Sequence, residues 1–539
     1  MIIAFEGIDG SGKSTLAEMF VKLLRQKDVC VAETRPSGEE KSRVANQIRN
    51  ITRDSSNIPL EPVPEYLLFL ARYLQQTHEV GEKKADVIIA DRSLFTPVLM
   101  AVAREALTFD EAMKIAGQCA RDLPWPDLIV LINVDIETSR IRKRLKKIGE
   151  KRLGEGRRKG TAGLGLRVRL HRALLDLAGR YPDKFIVIDN NAPLLEPAFE
   201  KLCAELLPRL GIREKLKSSG KHYNSPAWKT VDEISDQFYG KVDELKDISP
   251  GLSALCLKGL NSPTAWRLRK DLMNDAMEVV AYSLSGLESP EARRMRRDLS
   301  MKVPYYVMHS LPARLDSEED IQLRKDLLEV SPYEVGLTLK RQDTDWAWEL
   351  RDRLTKISMP GALVSLTWQD SERAWEIRLN ASKKERAYLL RGLNGLDSDA
   401  AWDLRMRYIR RFPMETIRST SGMISQRAYA LRDRFIERAP DTVMKSLPNV
   451  HDDASMEMRR KAARHSRVAV GGLFECDDEA AWELREEYIS LWPVAAVASL
   501  GSLWNTDRGL ALITKALEAA PGSLKLARAV TRYVENNNE

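Results

Sequence analysis

Nine consecutive residues near the start of the chain carry the chemistry: Gly7-Ile8-Asp9-Gly10-Ser11-Gly12-Lys13-Ser14-Thr15. The spacing is G-x-x-x-x-G-K-[ST], with an apolar run (Met1 to Phe5) before it and a helix-forming stretch (Leu16 to Leu24) after it. Glycines at Gly7, Gly10 and Gly12 let the backbone curl so that its N–H groups turn inward onto phosphate oxygens, and the following helix start adds partial positive charge. The whole segment, with Asp9, Ser11 and Thr15, is the candidate cofactor cradle; Lys13 would reach terminal phosphates and the Ser14 hydroxyl would help hold Mg2+. The bland alternative is a chance glycine-rich turn between a strand and a helix. The full motif in this setting argues against it.

Such a loop works only at the end of a strand, and the next 200 residues supply strands at regular intervals. Val29–Ala32, Asp86–Ala90, Leu128–Val134 and Phe185–Ile188 are short apolar runs, separated by helical stretches such as 41–50 and 64–77. Strands alternating with helices predict an α/β domain, a parallel sheet with helices on both faces. In such sheets ligands collect at the carboxyl ends of strands. The phosphate loop, Arg35, Asp91-Arg92 and Asp135 all fall there.

Length and composition set outer bounds. A chain of 539 residues is too long for one core and predicts at least two domains. No apolar run reaches the roughly 18 residues of a membrane span, which predicts no membrane partner. The five cysteines stand singly, without metal spacing or a disulfide framework, and point to a cytoplasmic protein. Net charge is +7, and the first 215 residues carry +6 of it. Within them, residues 140–172 hold 14 basic side chains against Glu150 and Glu155, with glycines interspersed. A mobile lid over phosphates, a solvated basic face and a nucleic-acid patch are the readings; the glycines favour the lid.

The pattern Phe5-Glu6-Gly7-Ile8-Asp9-Gly10-Ser11-Gly12-Lys13-Ser14-Thr15-Leu16 resembles the opening of thymidylate kinases. Thr34-Arg35-Pro36, Leu67 to Arg72, Asp91-Arg92-Ser93 and Pro126-Asp127-Leu128 follow in that family's order. The resemblance covers about residues 1–210. It implies ATP and Mg2+ as cofactors and a nucleoside monophosphate as the acceptor substrate. Asp9 would contact the acceptor sugar, Arg92 its phosphate, and Asp91 the metal. Phe69 would stack on the base with Arg72 and Arg35 nearby. The loop has no arginine between Gly7 and Gly12, so a lid arginine (Arg144, Arg152 or Arg157) would join Lys13 and Asp9 as the catalytic set. Family members pair up, which implies a possible homodimer through this domain. Three departures stand out: the family's Arg-Glu-Pro is Arg35-Pro36-Ser37, the aromatic after Asp-Arg is Ser93, and the lid lacks Asp-Arg-Phe.

Beyond a polar linker (213–234) the chain is a repeat of about 27 residues. Arginines recur at 269, 296, 324, 351, 378, 405, 432, 459 and 485, and three residues before them come Trp266, Trp348, Trp375, Trp402 and Trp482 or their substitutes. Each unit predicts a first helix, a proline opening a second helix, and a Ser or Asp cap on the next. About ten such hairpins over 235–539 predict an all-α solenoid resembling short HEAT-like repeats. The tryptophans read as inter-repeat core rather than a base-stacking platform, and the arginines as pairing with Asp or Glu of adjacent turns. The near-neutral charge of this part argues against nucleic acid; a protein partner on the concave face is the expectation.

The leading reading is therefore a cytoplasmic, ATP-dependent nucleoside monophosphate kinase (1–212) carrying a recruiting or regulating helical arm. Two rivals remain open on these residues: a scaffold whose kinase-like domain only senses nucleotide, and a kinase for a modified nucleotide or non-nucleotide acceptor.

Overall fold

The computed structural model describes residues 1–34, 43–53, 60–81, 84–151, 164–212, 223–311, 317–449 and 451–538. The chain forms two compact units: the first holds the described residues up to Ser225 apart from Arg144–Lys151, and the second holds Arg144–Lys151 and the chain from Pro226. Among the described residues no helix is long and apolar enough to cross a membrane, and all five cysteines are free thiols.

The first unit is built on five parallel strands, β1 (Ile2–Glu6), β2 (Val31–Thr34), β3 (Val87–Asp91), β4 (Leu128–Asn133) and β5 (Phe185–Asp189), in the order β2-β3-β1-β4-β5. Around them lie α1 (Lys13–Gln26), α2 (Arg43–Arg53), α3 (Pro62–Gly81), α4 (Phe95–Ala103), α5 (Phe109–Cys119), α6 (Ile136–Gly149), α7 (Leu164–Arg180) and α8 (Glu196–Arg209). β1 is central and buried on both faces, which is why it reads as an uninterrupted apolar run. Ile3 and Phe5 pack against Leu16, Phe20 and Leu24 of α1 and Leu202 of α8. Ala4 faces the other way, with Ala90, Leu99 of α4 and Leu174 of α7. Register aligns Phe5 with Asp91, so β1 and β3 end together. Their connections leave in opposite directions, to β2 on one side and across β1 to β4 on the other. That topological switch opens the crevice in which ligands sit.

The second unit is all helical. It begins with Val231–Glu244, inside the stretch read as linker, and Trp228 before it is already 2% exposed. Twenty-two described helices pair into eleven hairpins, one more than the periodicity counted. Prolines open the second helices at Pro304, Pro332, Pro413, Pro440 and Pro493, and Ser262, Ser289 and Ser371 cap first helices by accepting a backbone N–H. Successive second helices pack side by side, and the last helix (Leu524–Asn538) returns to pack on the first. Tyr239 donates to Glu535, the backbone N–H of Asn261 donates to Glu535 (3.2 Å), and Arg528 donates to the Leu255 carbonyl (3.0 Å). The solenoid is thus closed on itself.

The arginine ladder corrects the pairing read from the sequence. Arg269, Arg296, Arg324, Arg351, Arg378, Arg405, Arg432 and Arg485 are fully buried and bind backbone rather than carboxylates. Arg405 is typical. Its guanidinium donates to the carbonyls of Leu396 (2.7 Å), Leu393 (2.8 Å) and Ser419 (3.0 Å), and Nε donates to Ser419 Oγ (2.9 Å). Leu393 and Ser419 end consecutive second helices, so one cation bonds carbonyls at both helix ends, the Leu393 carbonyl also accepting from the Leu396 N–H (3.0 Å), and meets both negative dipole ends. Burial pushes Arg405 down to about 10, still charged at neutral pH. The tryptophans are core, as expected, and they also cover the arginines. Trp266, Trp348, Trp375, Trp402 and Trp482 each lie 4.5–4.9 Å from the guanidinium three residues on.

Candidate active site

The phosphate loop leaves β1 at Gly7 and enters α1 at Lys13. Gly10 has φ 87°, and a side chain there would strike the Ser139 carbonyl at 2.7 Å, so both backbone conformation and space demand glycine. Gly12 caps α1 in the left-handed region without a side-chain acceptor, and the first turn of α1 carries no acid. Its N–H groups remain available to an anion.

Around the loop the charges converge. Lys13 is 8% exposed; burial first, and then Arg92, push its ammonium down to about 8 against the pull of Asp91, Asp9 and Glu6. Ser14 Oγ donates to Asp91 Oδ2 (2.8 Å), while the buried Asp91 Oδ1 has no hydrogen-bond partner. Arg92 donates to Asp9 (3.2 Å) and to the Gly7 carbonyl (3.4 Å). It holds φ 92°, a conformation side chains disfavour, at the turn between β3 and α4. The Asp9 side chain is 60% exposed. Desolvation raises its carboxyl, but Arg92, Lys143, Lys13 and Arg167 together hold it well below the usual carboxylate range.

Several contributors lie outside the set read from the sequence. α6 presents Ser139, Arg142 and Lys143 at i, i+3 and i+4, hence on one helix face. Ser139 donates to the Asp9 carbonyl (2.8 Å), Lys143 to the Asp9 carboxylate (3.2 Å), and Arg142 to the carbonyls of Ser11 (3.4 Å) and Ala192 (2.8 Å). Asn190, after β5, donates to the Ser11 carbonyl (2.7 Å). That helical spacing was the available signal in the basic stretch. Glu6, 1% exposed, accepts from the Ser93 backbone (2.8 Å), Ser93 Oγ (2.8 Å) and Thr96 Oγ1 (2.9 Å).

The remaining candidates divide. Gly7, Asp9, Gly10, Ser11, Gly12, Lys13, Ser14, Asp91 and Arg92 meet in the crevice, with Thr15 exposed on the first turn of α1. Phe69 and Arg72 lie on α3; Phe69 packs partly against Tyr66, Leu70 and Tyr73, and Arg72 is buried. Tyr73, one residue beyond Arg72, lines a small hollow with Thr34, Arg92 and Ser93, and burial pushes its hydroxyl up to about 12. Arg144 follows Lys143 on α6, about 100° round the helix from it. Arg35, Arg152 and Arg157 lie outside the described residues.

Comparison with known proteins decides the family. The family model described as Thymidylate kinase matches residues 5–196. A thymidylate kinase of Pelobacter propionicus is 30% identical over 217 residues, covering 38% of this chain and 93% of that protein. The thymidylate kinase of Trichlorobacter lovleyi is 30% identical over 195 residues (35% and 89%), and that of Clostridium novyi 26% over 203 (37% and 95%). The chain belongs to the thymidylate kinase family. The membership rests on the first unit; the helical ring lies outside the matched residues. Within the family pattern, Ser93 in place of the aromatic has a local reason, since its hydroxyl completes the shell of the buried Glu6 carboxylate.

Proposed function

We propose that the first unit transfers the γ-phosphoryl group of ATP, with Mg2+, to a nucleoside monophosphate, dTMP or a close analogue. One observation carries this reading: Lys13, the Ser14–Asp91 pair and the Arg92–Asp9 pair line one crevice at the ends of two adjacent strands. Phosphoryl transfer asks for positioning and for cations where charge spreads, with little covalent chemistry from protein. The loop N–H groups and Lys13 would hold the donor phosphates. Arg92 would hold the acceptor phosphate, and Asp9 the acceptor sugar, with Arg35, Phe69 and Arg72 toward the base. Arg142 and Asn190 would position the loop through the Ser11 carbonyl.

Mg2+, when bound, neutralises phosphate oxygens and fixes their geometry. The residues present fit it: a hydroxyl beside one carboxylate whose second oxygen is buried without a partner, the sparse protein set Mg2+ takes when phosphates and water complete its shell. Arg144, Arg152 and Arg157 are the proposed sources of a closing cation. The engagement of Ser93 by Glu6 speaks for a repacked, working site over a decayed sensor. The ring is proposed to recruit or regulate. The test is ADP production from Mg-ATP with dTMP, dUMP and the other monophosphates in turn, beside Lys13→Ala. Turnover with one acceptor, lost in the variant, is the expected result; nucleotide binding without any acceptor-dependent turnover would overturn the proposal.

A further inference from the structure

Where the last hairpin of the ring meets the first, the described residues border an open cavity of about 460 Å3. One wall is a single face of the closing helix Leu524–Asn538, on which Lys525, Arg528 and Arg532 stand at i, i+3 and i+7. Lys258, at the end of the first hairpin, lines the cavity with them. Phe474, 45% exposed, and Trp504 and Tyr533 supply aromatic surface. Trp504 and Tyr533 stack, with centroids 6.0 Å apart and planes 10° from parallel. The Tyr533 hydroxyl is fixed, donating to the Val497 carbonyl (2.9 Å) and accepting from Gly501 N–H (3.1 Å).

Among the described lining residues Glu475 is the one acid, and it accepts from the Ser502 N–H (3.1 Å). Its backbone is left-handed, φ 57°, as are those of Arg341 and Trp368 at the same turn, where other hairpins place Gly259, Gly286, Gly395, Gly422 or Gly501. Four cations around a hollow with one carboxylate attract an anion of several charges, with Lys258 also donating to the Tyr282 hydroxyl (3.0 Å) and Arg528 to the Leu255 carbonyl (3.0 Å). Arginine forks suit phosphate oxygens, and aromatic faces suit a flat ring. The volume lies in the range of small-ligand sites.

We propose that this cavity binds a nucleotide, its phosphates on Lys258, Lys525, Arg528 and Arg532 and its base against Phe474 and the Trp504–Tyr533 pair. The ring is then itself a nucleotide-binding module, independent of the phosphate loop. The test is equilibrium dialysis of the full chain with labelled ATP, GTP, CTP and dTTP, with inorganic tripolyphosphate as competitor. Two sites per chain are expected for at least one of these nucleotides. Lys13→Ala should remove one; Arg532→Glu and Phe474→Ser should each weaken the other by about tenfold or more, with acceptor-dependent ADP production unchanged. Circular dichroism melts check that the variants fold, and Arg532→Gln replaces the reversal if it unfolds the ring. One site per chain that Lys13→Ala abolishes, or a second site indifferent to both ring variants, would overturn the proposal. So would tripolyphosphate binding the second site as tightly as the nucleotide does.

Discussion

Lys13 is charged in a place that disfavours charge, and that has a measurable consequence before any nucleotide is added. Its ammonium is pushed from 10.5 to about 8, chiefly by burial and by Arg92. That depression is worth about 3 kcal/mol of differential interaction at neutral pH. Replacing Lys13 by methionine keeps length and removes the charge, so the nucleotide-free first unit should gain about 3 kcal/mol. The sign with pH follows. A base whose folded value is depressed binds fewer protons than the unfolded chain between about 8 and 10.5, so wild-type stability rises with pH through that window. The variant should show no such rise. The assay is urea unfolding of the transition that Mg-ATP shifts, across pH 7 to 10.5, for both proteins. Acceptor-dependent turnover should vanish in Lys13→Met even as the midpoint rises. An unchanged or lowered midpoint at pH 7 would mean that this site does not hold a desolvated cation in readiness for phosphate.

Other perturbations follow from named contacts. Asn190→Ala strips the Ser11 carbonyl of its closest donor and should weaken ATP binding about tenfold, read by calorimetric titration, with the acceptor KM little changed. Ser93→Ala leaves the buried Glu6 one donor short and should cost about 1–3 kcal/mol in urea unfolding of the first unit. Arg405→Leu leaves the Leu396 and Ser419 carbonyls and Ser419 Oγ without their guanidinium donor and should cost about 3 kcal/mol or more; Arg405→Lys should not rescue it, since one ammonium lacks the fork that spans them. Deleting residues 524–539 removes the helix that joins the two ends of the ring, so hydrogen exchange in Val231–Cys256 should accelerate.

What could be read from residues alone follows burial. β1, β3, β4 and β5 were legible because strands covered on both faces are unbroken apolar runs, and the phosphate loop because its glycines sit at fixed spacing in one segment. The supports of that loop were not legible, since Arg142 and Asn190 reach Ser11 across 131 and 179 residues. The 27-residue period gave hairpins, prolines and caps, but curvature is set by packing angles that no single unit displays, so closure by Leu524–Asn538 was invisible. The ladder was placed correctly and paired wrongly. A buried arginine suggests a carboxylate, whereas here the acceptors are helix-end carbonyls such as those of Leu393 and Ser419, which every sequence supplies.

Whether the first unit is a working kinase is decided by following the phosphoryl group itself. The full chain is incubated with Mg-ATP labelled at the γ-phosphate and with dTMP, and products are separated by chromatography, wild type beside Lys13→Ala. Label is expected in the nucleoside diphosphate for wild type, and in neither that product nor free phosphate for the variant. Label that stays in ATP or appears only as inorganic phosphate, across every monophosphate offered, would rule out acceptor phosphorylation by this chain.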